Sequence, residues 1–144
     1  MKKLLVCLCA VVLMFTVAGC EKAGFKEGTY NGTAIDSFGG EENTASAKVV
    51  INSKGKIESV YLDTTYKGST KKTLGNDYNM KTYNPSASGE WFEQVEKLEK
   101  AIVENQGTQF LNLDSEGKTD AVSGCTIQIN ALVKAVDNAL EQAK

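Results

Sequence analysis

The residues from Asp120 to Thr126 are those whose types and spacing best suit chemistry. They spell Asp-Ala-Val-Ser-Gly-Cys-Thr and stand before a stretch with helical spacing of apolar residues. A helix start offers unpaired backbone N–H groups and the positive end of the helix dipole, which together favour an anion. Gly124 allows close backbone approach, and Ser123 and Thr126 add two hydroxyls, so phosphate is the natural ligand. Capping of the helix by these hydroxyls is the alternative, and spacing alone leaves both interpretations open.

Two residue types are missing from the chain, and their absence narrows the possible chemistry. The 144 residues include no histidine, and all 16 basic residues are lysine, so there is no arginine. Catalytic triads with histidine, imidazole acid–base catalysis, nearly all zinc sites and covalent haem attachment are therefore excluded. The formal net charge of −2 argues against a nucleic-acid partner.

The N-terminus is predicted to be a secretory signal that ends in a lipid anchor. A basic start is followed by an apolar run too short for a comfortable membrane span. Val17-Ala18-Gly19-Cys20 resembles the bacterial lipobox, in which the cysteine is acylated and becomes the first residue after cleavage. We therefore predict a lipoprotein signal peptide over residues 1–19, and an acylated cysteine with a short tether over residues 20–27. An ordinary signal peptide or membrane helix with an incidental cysteine is the alternative.

Lipidation would change what the four cysteines can do. Cleavage removes Cys7 and Cys9 and acylation modifies Cys20, which leaves Cys125 as a thiol. Neither an intramolecular disulfide nor a cysteine-ligated iron–sulfur cluster is then possible, and we expect no metal site. A redox role would need an organic cofactor.

Residues 28–144 are predicted to form one α+β domain with a small antiparallel sheet. Four strands are expected, over residues 28–35, 45–51, 57–63 and 108–113. Gly55 is expected to take a positive φ in the hairpin turn before the third strand. In that strand, Ile57 and Tyr61 are assigned to the same face.

Two amphipathic helices complete the predicted domain. The first is expected to begin after Ser88 as its N-cap and to end near Gly107, with its apolar stripe formed by Phe92, Val95, Leu98 and Ile102. The second is expected from about Thr126 to Ala143. Residues 66–88 show no strong period, apart from a weak helical turn around residues 71–80. Such long irregular segments in compact domains are usually binding loops or disordered, and the tyrosines and methionine here argue against disorder.

The segment from Asp120 to Thr126 resembles the flavinylation motif of the FMN-binding domain family, Asp-x-x-Ser/Thr-Gly-Ala-Thr/Ser. That family includes subunits of Rnf-type and sodium-pumping NADH:quinone reductase complexes and lipoproteins of extracellular electron transfer. Other stretches are similar to family segments: Gly28-Thr29-Tyr30, Phe38-Gly39-Gly40, Gly55-Lys56-Ile57, Asp77-Tyr78-Asn79-Met80-Lys81 and Gly89-Glu90-Trp91. The departure is Cys125, where alanine is usual. Both side chains are small, so we expect the site to be retained, with a thiol whose contact with flavin or oxidation depends on its exposure and pKa.

The resemblance implies covalent FMN, joined by a phosphoester bond to the hydroxyl of Thr126. A flavin transferase makes this bond from FAD with magnesium and releases AMP. A threonine hydroxyl needs an external base and a metal-activated pyrophosphate, so the chain is expected to be the transferase's substrate and not an enzyme. The other predicted cofactor-binding residues are Asp120, Ser123, Gly124 and Cys125, with a plain turn residue as the alternative for Asp120. Core packing competes with flavin contact at Tyr78 and Met80, as it does at Tyr66 and Trp91.

The prediction that follows is a lipid-anchored flavoprotein that carries electrons. The implied partners are the flavin transferase, a membrane dehydrogenase or quinone-linked oxidoreductase, and an extracellular electron acceptor or reductase. We expect the extracytoplasmic face of a cell membrane, with a Gram-positive cell favoured and the periplasm or outer membrane in a Gram-negative one. A module that binds a phosphate-containing ligand reversibly and a structural lipoprotein without cofactor are the alternatives.

Overall fold

The computed structural model describes residues 24–144, so the predicted signal peptide and Cys20 lie outside the described residues. An antiparallel sheet has the strand order β1-β2-β3-β4. Its strands are β1 Gly28–Asp36, β2 Asn43–Ile51, β3 Ile57–Tyr66 and the short β4 Ser69–Thr70. The meander forms because β2 buries alternating apolar residues and glycine-containing turns connect it and the neighbouring strands. Gly55 has φ +69° in the turn between β2 and β3, as predicted.

The face assignment within β3 was wrong. Val60 and Leu62 are buried, whereas Tyr61 is 51% exposed. The register between β2 and β3 shifts between Val50 and Ile51, which breaks the simple period of two near the start of β3. Ile57 is therefore buried three residues before Val60, and Tyr61 lies on the opposite face.

Two long helices cover the sheet, α3 Trp91–Asn105 and α4 Asn130–Gln142. Helix α4 packs on β1 and β2, while α3 packs on β3. A Cβ atom at Gly32 would lie 2.0 Å from the carbonyl oxygen of Ala135, so this glycine lets α4 approach the sheet backbone directly. The α+β class with an antiparallel sheet and two amphipathic helices is confirmed.

The predicted fourth strand over residues 108–113 was wrong. That segment contains a 3-10 turn, Gln109–Leu111, and the fourth strand of the sheet is Ser69–Thr70. Leu111 is buried in the core, so one apolar side chain anchors a turn where the pattern suggested a strand.

The predicted irregular segment consists of short helical pieces. It contains α1 Lys71–Leu74, a 3-10 turn at Gly75–Tyr78 and α2 Met80–Tyr83. A further 3-10 turn, Phe38–Gly40, connects β1 and β2. The pieces between β4 and α3 and the turn at Phe38 each contribute residues to the walls of the cavities described below.

Both long helices begin later than predicted. Glu90, not Ser88, is the N-cap of α3, and its N–H donates to the Glu93 carboxylate at 2.7 Å. Helix α4 begins at Asn130, four residues after Thr126. The segment before it is not helical because Cys125, Ile127 and Ile129 are buried at every second position, a period typical of extended chain.

Two residues that precede β1 are hydrogen-bonded to the rest of the domain. The N–H of Phe25 donates to Gly55 at 3.2 Å, and that of Lys26 donates to Ala143 at 2.7 Å. Any tether to a lipid on Cys20 is therefore shorter than the predicted residues 20–27. Within residues 24–144, no helix has the length and apolar character that a membrane crossing requires.

Candidate functional site

Thr126 lies in the extended segment before α4, with its side chain exposed. Its backbone N–H donates to Oε1 of Gln94 at 2.8 Å, and its hydroxyl donates to the same oxygen at 3.1 Å. The N–H groups of Cys125 and Ile129 donate to carbonyls of Val122 and Gly117. Capping of the helix by Ser123 or Thr126 was therefore wrong, because α4 has Ile129 as its N-cap and no side chain caps it. The anion site stays a prediction, although the N–H groups of Thr126, Cys125 and Ile129 already have partners. The group of Thr126 that is available for chemistry is its side-chain hydroxyl.

Gln94 is the residue that holds Thr126. It is fully buried on α3, on the same face as Val95 and Leu98. Its Nε2 group donates to the carbonyl of Gly89 at 2.9 Å and faces the Met80 sulfur at 3.8 Å. Both ends of the amide have partners, so the side chain is fixed, and Thr126 is fixed by it.

A cavity of about 480 Å³ opens beside the Thr126 hydroxyl. Its walls include the rings of Trp91 and Tyr78 and the thioether of Met80. The Glu90 carboxylate accepts the Met80 N–H at 2.8 Å, which attaches α2 to the start of α3 and holds this wall in place. Flat apolar walls and a volume in the usual range for ligand pockets suit a planar aromatic ligand.

A second cavity of about 500 Å³ adjoins the first. The two share five wall residues: Phe38, Lys71, Tyr78, Met80 and Asn84. The ring of Tyr66 meets that of Tyr78 edge to face at a centroid distance of 5.0 Å. Together the cavities form a groove that runs from Thr126 across α1 and α2 to the turn at Phe38.

Lys71 is the cation in the wall common to both cavities. It is 6% exposed, and its Nζ lies 3.8 Å from Oδ2 of Asp36 at the end of β1. Burial lowers its pKa, and the nearby carboxylates of Asp36 and Asp63 oppose that shift. Asp63 also accepts the N–H of Lys72 at 3.0 Å, which fixes the start of α1 and hence the position of Lys71.

The sequence matches the family model described as FMN-binding domain over residues 40–141. The chain belongs to the FMN-binding domain family. FMN is therefore its cofactor, and the chain is an FMN-binding flavoprotein. Comparison with curated proteins and with solved structures gives no significant match. The matched region contains Lys71, Gln94 and Thr126, together with most of the groove.

The groove fits FMN in its shape and in the chemical groups on its walls. Trp91, Tyr78 and Met80 offer apolar surface to a flat ring, while Lys71 and Lys118 offer positive charge to the phosphate or the ring carbonyls. Burial raises the pKa of the Tyr78 phenol, so this hydroxyl stays protonated and able to donate. Within residues 24–144, no cluster of three or more histidine, cysteine or acidic side chains is placed to hold a metal ion.

The other motif residues lie away from the cavity that Thr126 lines. Asp120 is exposed and follows Thr119, whose hydroxyl accepts the N–H of Ala121 at 3.1 Å in a local turn. Ser123 lines a separate depression beside Lys97. Gly124 has φ +77°, and a Cβ there would lie 2.5 Å from the Lys97 amine. The glycine therefore suits a turn and a neighbouring lysine, and direct cofactor contact by these three residues stays a prediction.

Cys125 is a buried core residue with a free thiol. It is 1% exposed, and desolvation raises its pKa to about 11. At neutral pH the sulfur is therefore a protonated thiol packed among apolar side chains, which makes it inert. In this position cysteine takes the place of a small apolar residue.

Tyr78 and Met80, for which core packing and flavin contact were both open, line the cavity, and so does Trp91. Gln94 and Lys71 were missed. Gln94 had a usable signal, because it is a polar residue on the apolar stripe of α3 between Trp91 and Leu98. Lys71 had none, since it lies in a stretch without periodicity and is one of many lysines.

Proposed function

We propose that FMN is joined to Oγ1 of Thr126 by a phosphoester bond, and that the chain is an electron carrier anchored to a membrane through Cys20. The observation that carries this proposal is the Thr126 hydroxyl itself. It is exposed beside a cavity with aromatic and cationic walls, and buried Gln94 holds it in one position.

The attachment reaction requires a second protein. Oγ1 attacks the phosphorus of the FMN half of FAD, the pyrophosphate bond breaks and AMP leaves. The hydroxyl proton passes to a base on the transferase, because the amide oxygen of Gln94 is too weakly basic to take it. Gln94 orients the hydroxyl, and magnesium held by the transferase activates the pyrophosphate. In this reaction the chain is the acceptor substrate and not the catalyst.

The side chains of the groove then have distinct tasks in an electron carrier. Trp91, Tyr78 and Met80 cover the ring and exclude water, while Lys71 supplies charge. Bound FMN supplies one- and two-electron transfer chemistry. Its donor in this proposal is a membrane dehydrogenase or quinone-linked oxidoreductase, and its acceptor is an extracellular acceptor or reductase.

The location follows from the predicted lipid on Cys20. With Phe25 and Lys26 already bonded to the domain, few residues separate it from the bilayer. A covalent cofactor suits the extracytoplasmic side, where released FMN would be lost. We favour the outer face of a Gram-positive membrane.

Reversible FMN binding is the second candidate. It is favoured by the groove, whose walls and cations are in place without any bond to Thr126. Family membership argues against the cofactor-free structural lipoprotein.

The test is co-expression of residues 24–144 with a flavin transferase, followed by denaturing electrophoresis. We expect flavin fluorescence to migrate with the chain in wild type and Thr126→Ser and to be absent from Thr126→Ala. Ser59→Ala is the matched control, because it removes an exposed hydroxyl on β3 that lies outside the motif and lines neither cavity. Fluorescence that persists in Thr126→Ala contradicts the proposed site, and flavin released on denaturation supports reversible binding instead.

A further inference from the structure

Lys71 is unusual among the charged residues that line the groove, because it is only 6% exposed. Lysine is almost never this buried unless it is paired, because removing the ammonium from water carries a large free-energy penalty. Here the ammonium lies 5.4 Å from the centroid of the Tyr78 ring and 5.2 Å from that of Trp91. Both rings line the cavity beside Thr126, so the charge lies among the surfaces that would cover a flavin.

The surrounding charges leave Lys71 only partly neutralised. The facing carboxylates are Asp36, at 3.8 Å, and Asp63, whose Oδ1 is already occupied by backbone N–H groups. By contrast, Lys118 at the rim of the cavity pairs closely with Glu116 at 2.7 Å. The long Asp36 distance leaves room for Lys71 to interact with another negative group.

Reduced flavin is such a group. Two electrons from an external reductant and one proton from solvent, added at N5, leave one negative charge on the ring, centred at N1 and the C2 carbonyl. Protein charge near these atoms sets flavin electronics, and in a water-poor site its effect is larger than in water.

We propose that Lys71 is the cationic contact of the flavin ring in this groove, and that its ammonium, moderated by Asp36, stabilises the reduced flavin and raises its reduction potential. This inference rests on the proposed location of FMN beside Thr126. Lys71 is a binding residue in this account. Asp36 lines the same cavity, and its carboxylate moderates the charge of Lys71.

The test is the two-electron midpoint potential of the FMN-loaded protein, measured by dithionite titration with reference dyes and flavin absorbance. In Lys71→Met we expect at least a tenfold smaller equilibrium constant for reduction, which is a fall of about 30 mV. In Asp36→Asn we expect a rise, because the moderating negative charge is removed. Lys71→Arg retains a positive charge and is expected to stay close to wild type. Lys48→Met is the control, since it removes one positive charge from an exposed position on β2 that lines neither cavity.

The proposal predicts that the midpoint potential falls in Lys71→Met and rises in Asp36→Asn. A merely structural role would not shift the potential in opposite directions in the two variants. Unchanged potentials in Lys71→Met and Asp36→Asn, or shifts in the same direction, overturn it. Should Lys71→Met fail to fold, Lys71→Gln replaces it in the titration, and an unchanged potential in that variant overturns the proposal. A wild type that carries FMN only reversibly refutes the covalent link but leaves the same titration valid with saturating FMN. A wild type that binds no FMN refutes both.

Discussion

Replacing Gln94 with leucine removes the three hydrogen bonds that connect α3 to Thr126 and Gly89. The Gly89 carbonyl and the Thr126 N–H lose their partners, at about 1–3 kcal/mol for each group left buried and unpaired. Water can reach the exposed Thr126, and leucine buries more apolar surface than glutamine. The cost for each unpaired group is therefore near the lower end of that range. We expect the free energy of unfolding to fall by about 2 kcal/mol.

The same substitution is expected to slow flavinylation. Without Gln94, the transferase must order the Thr126 backbone itself, at about 1–2 kcal/mol for one residue. Added to the activation free energy, this cost corresponds to a roughly tenfold lower rate of FMN transfer. Urea denaturation gives the stability, and the time course of protein-bound flavin fluorescence with purified transferase and FAD gives the rate.

Val95→Ala is the matched control for this prediction. Val95 is fully buried one position further along α3, and losing two methyl groups there also lowers stability by about 2 kcal/mol. We expect its flavinylation rate to equal that of wild type. If Gln94→Leu is destabilised but flavinylated at the wild-type rate, or if Val95→Ala slows equally, the positioning argument is refuted.

Lys71 and Cys125 give two further predictions. Because burial lowers the pKa of Lys71, the unfolded chain holds its proton at a pH where the folded chain has lost it. The free energy of unfolding of cofactor-free wild type, taken relative to that of Lys71→Met, should therefore rise with pH between the folded pKa and the ordinary value of about 10.5. Urea denaturation at a series of pH values measures it. A difference between the two proteins that stays flat or falls with pH contradicts the lowered pKa. At pH 7 a thiol with a pKa of about 11 is ionised in about one molecule in ten thousand. Cys125 should therefore react with an aromatic disulfide reagent only on unfolding, and Cys125→Ala should be flavinylated normally; rapid labelling of the native domain would contradict this.

The main features of the fold could be predicted because local patterns determine them. The strand over residues 45–51 and the turn at Gly55 followed from alternation and from the need for a positive φ. The helix over residues 91–105 followed from its apolar stripe. The strand predicted over residues 108–113 was wrong because Leu111 is buried by tertiary packing. In so short a segment, one buried apolar residue between polar neighbours resembles the alternation of a strand.

The candidate site was only partly predictable, for a physical reason. Thr126 is identified by a sequence motif, but its partner Gln94 lies 32 residues away, and only packing of α3 against the segment before α4 brings them together. Lys71 reaches the same cavity through the short helices after β4, whose conformation depends on the Asp63 carboxylate and not on any period. The start of α4 was predicted too early because the helical pattern of the following residues was extended back to Thr126. Burial of Cys125, Ile127 and Ile129 at every second position instead keeps that segment extended.

The central claim is that FMN is attached to Thr126, and peptide mapping tests it most directly. Because the chain contains no arginine, cleavage after lysine releases residues 119–134 as one peptide that contains Thr119, Ser123 and Thr126. After co-expression with the transferase, we predict that this peptide gains the mass of FMN less one water, and that fragment ions place the gain on Thr126. An unmodified peptide, or a gain on Thr119 or Ser123, would contradict the account.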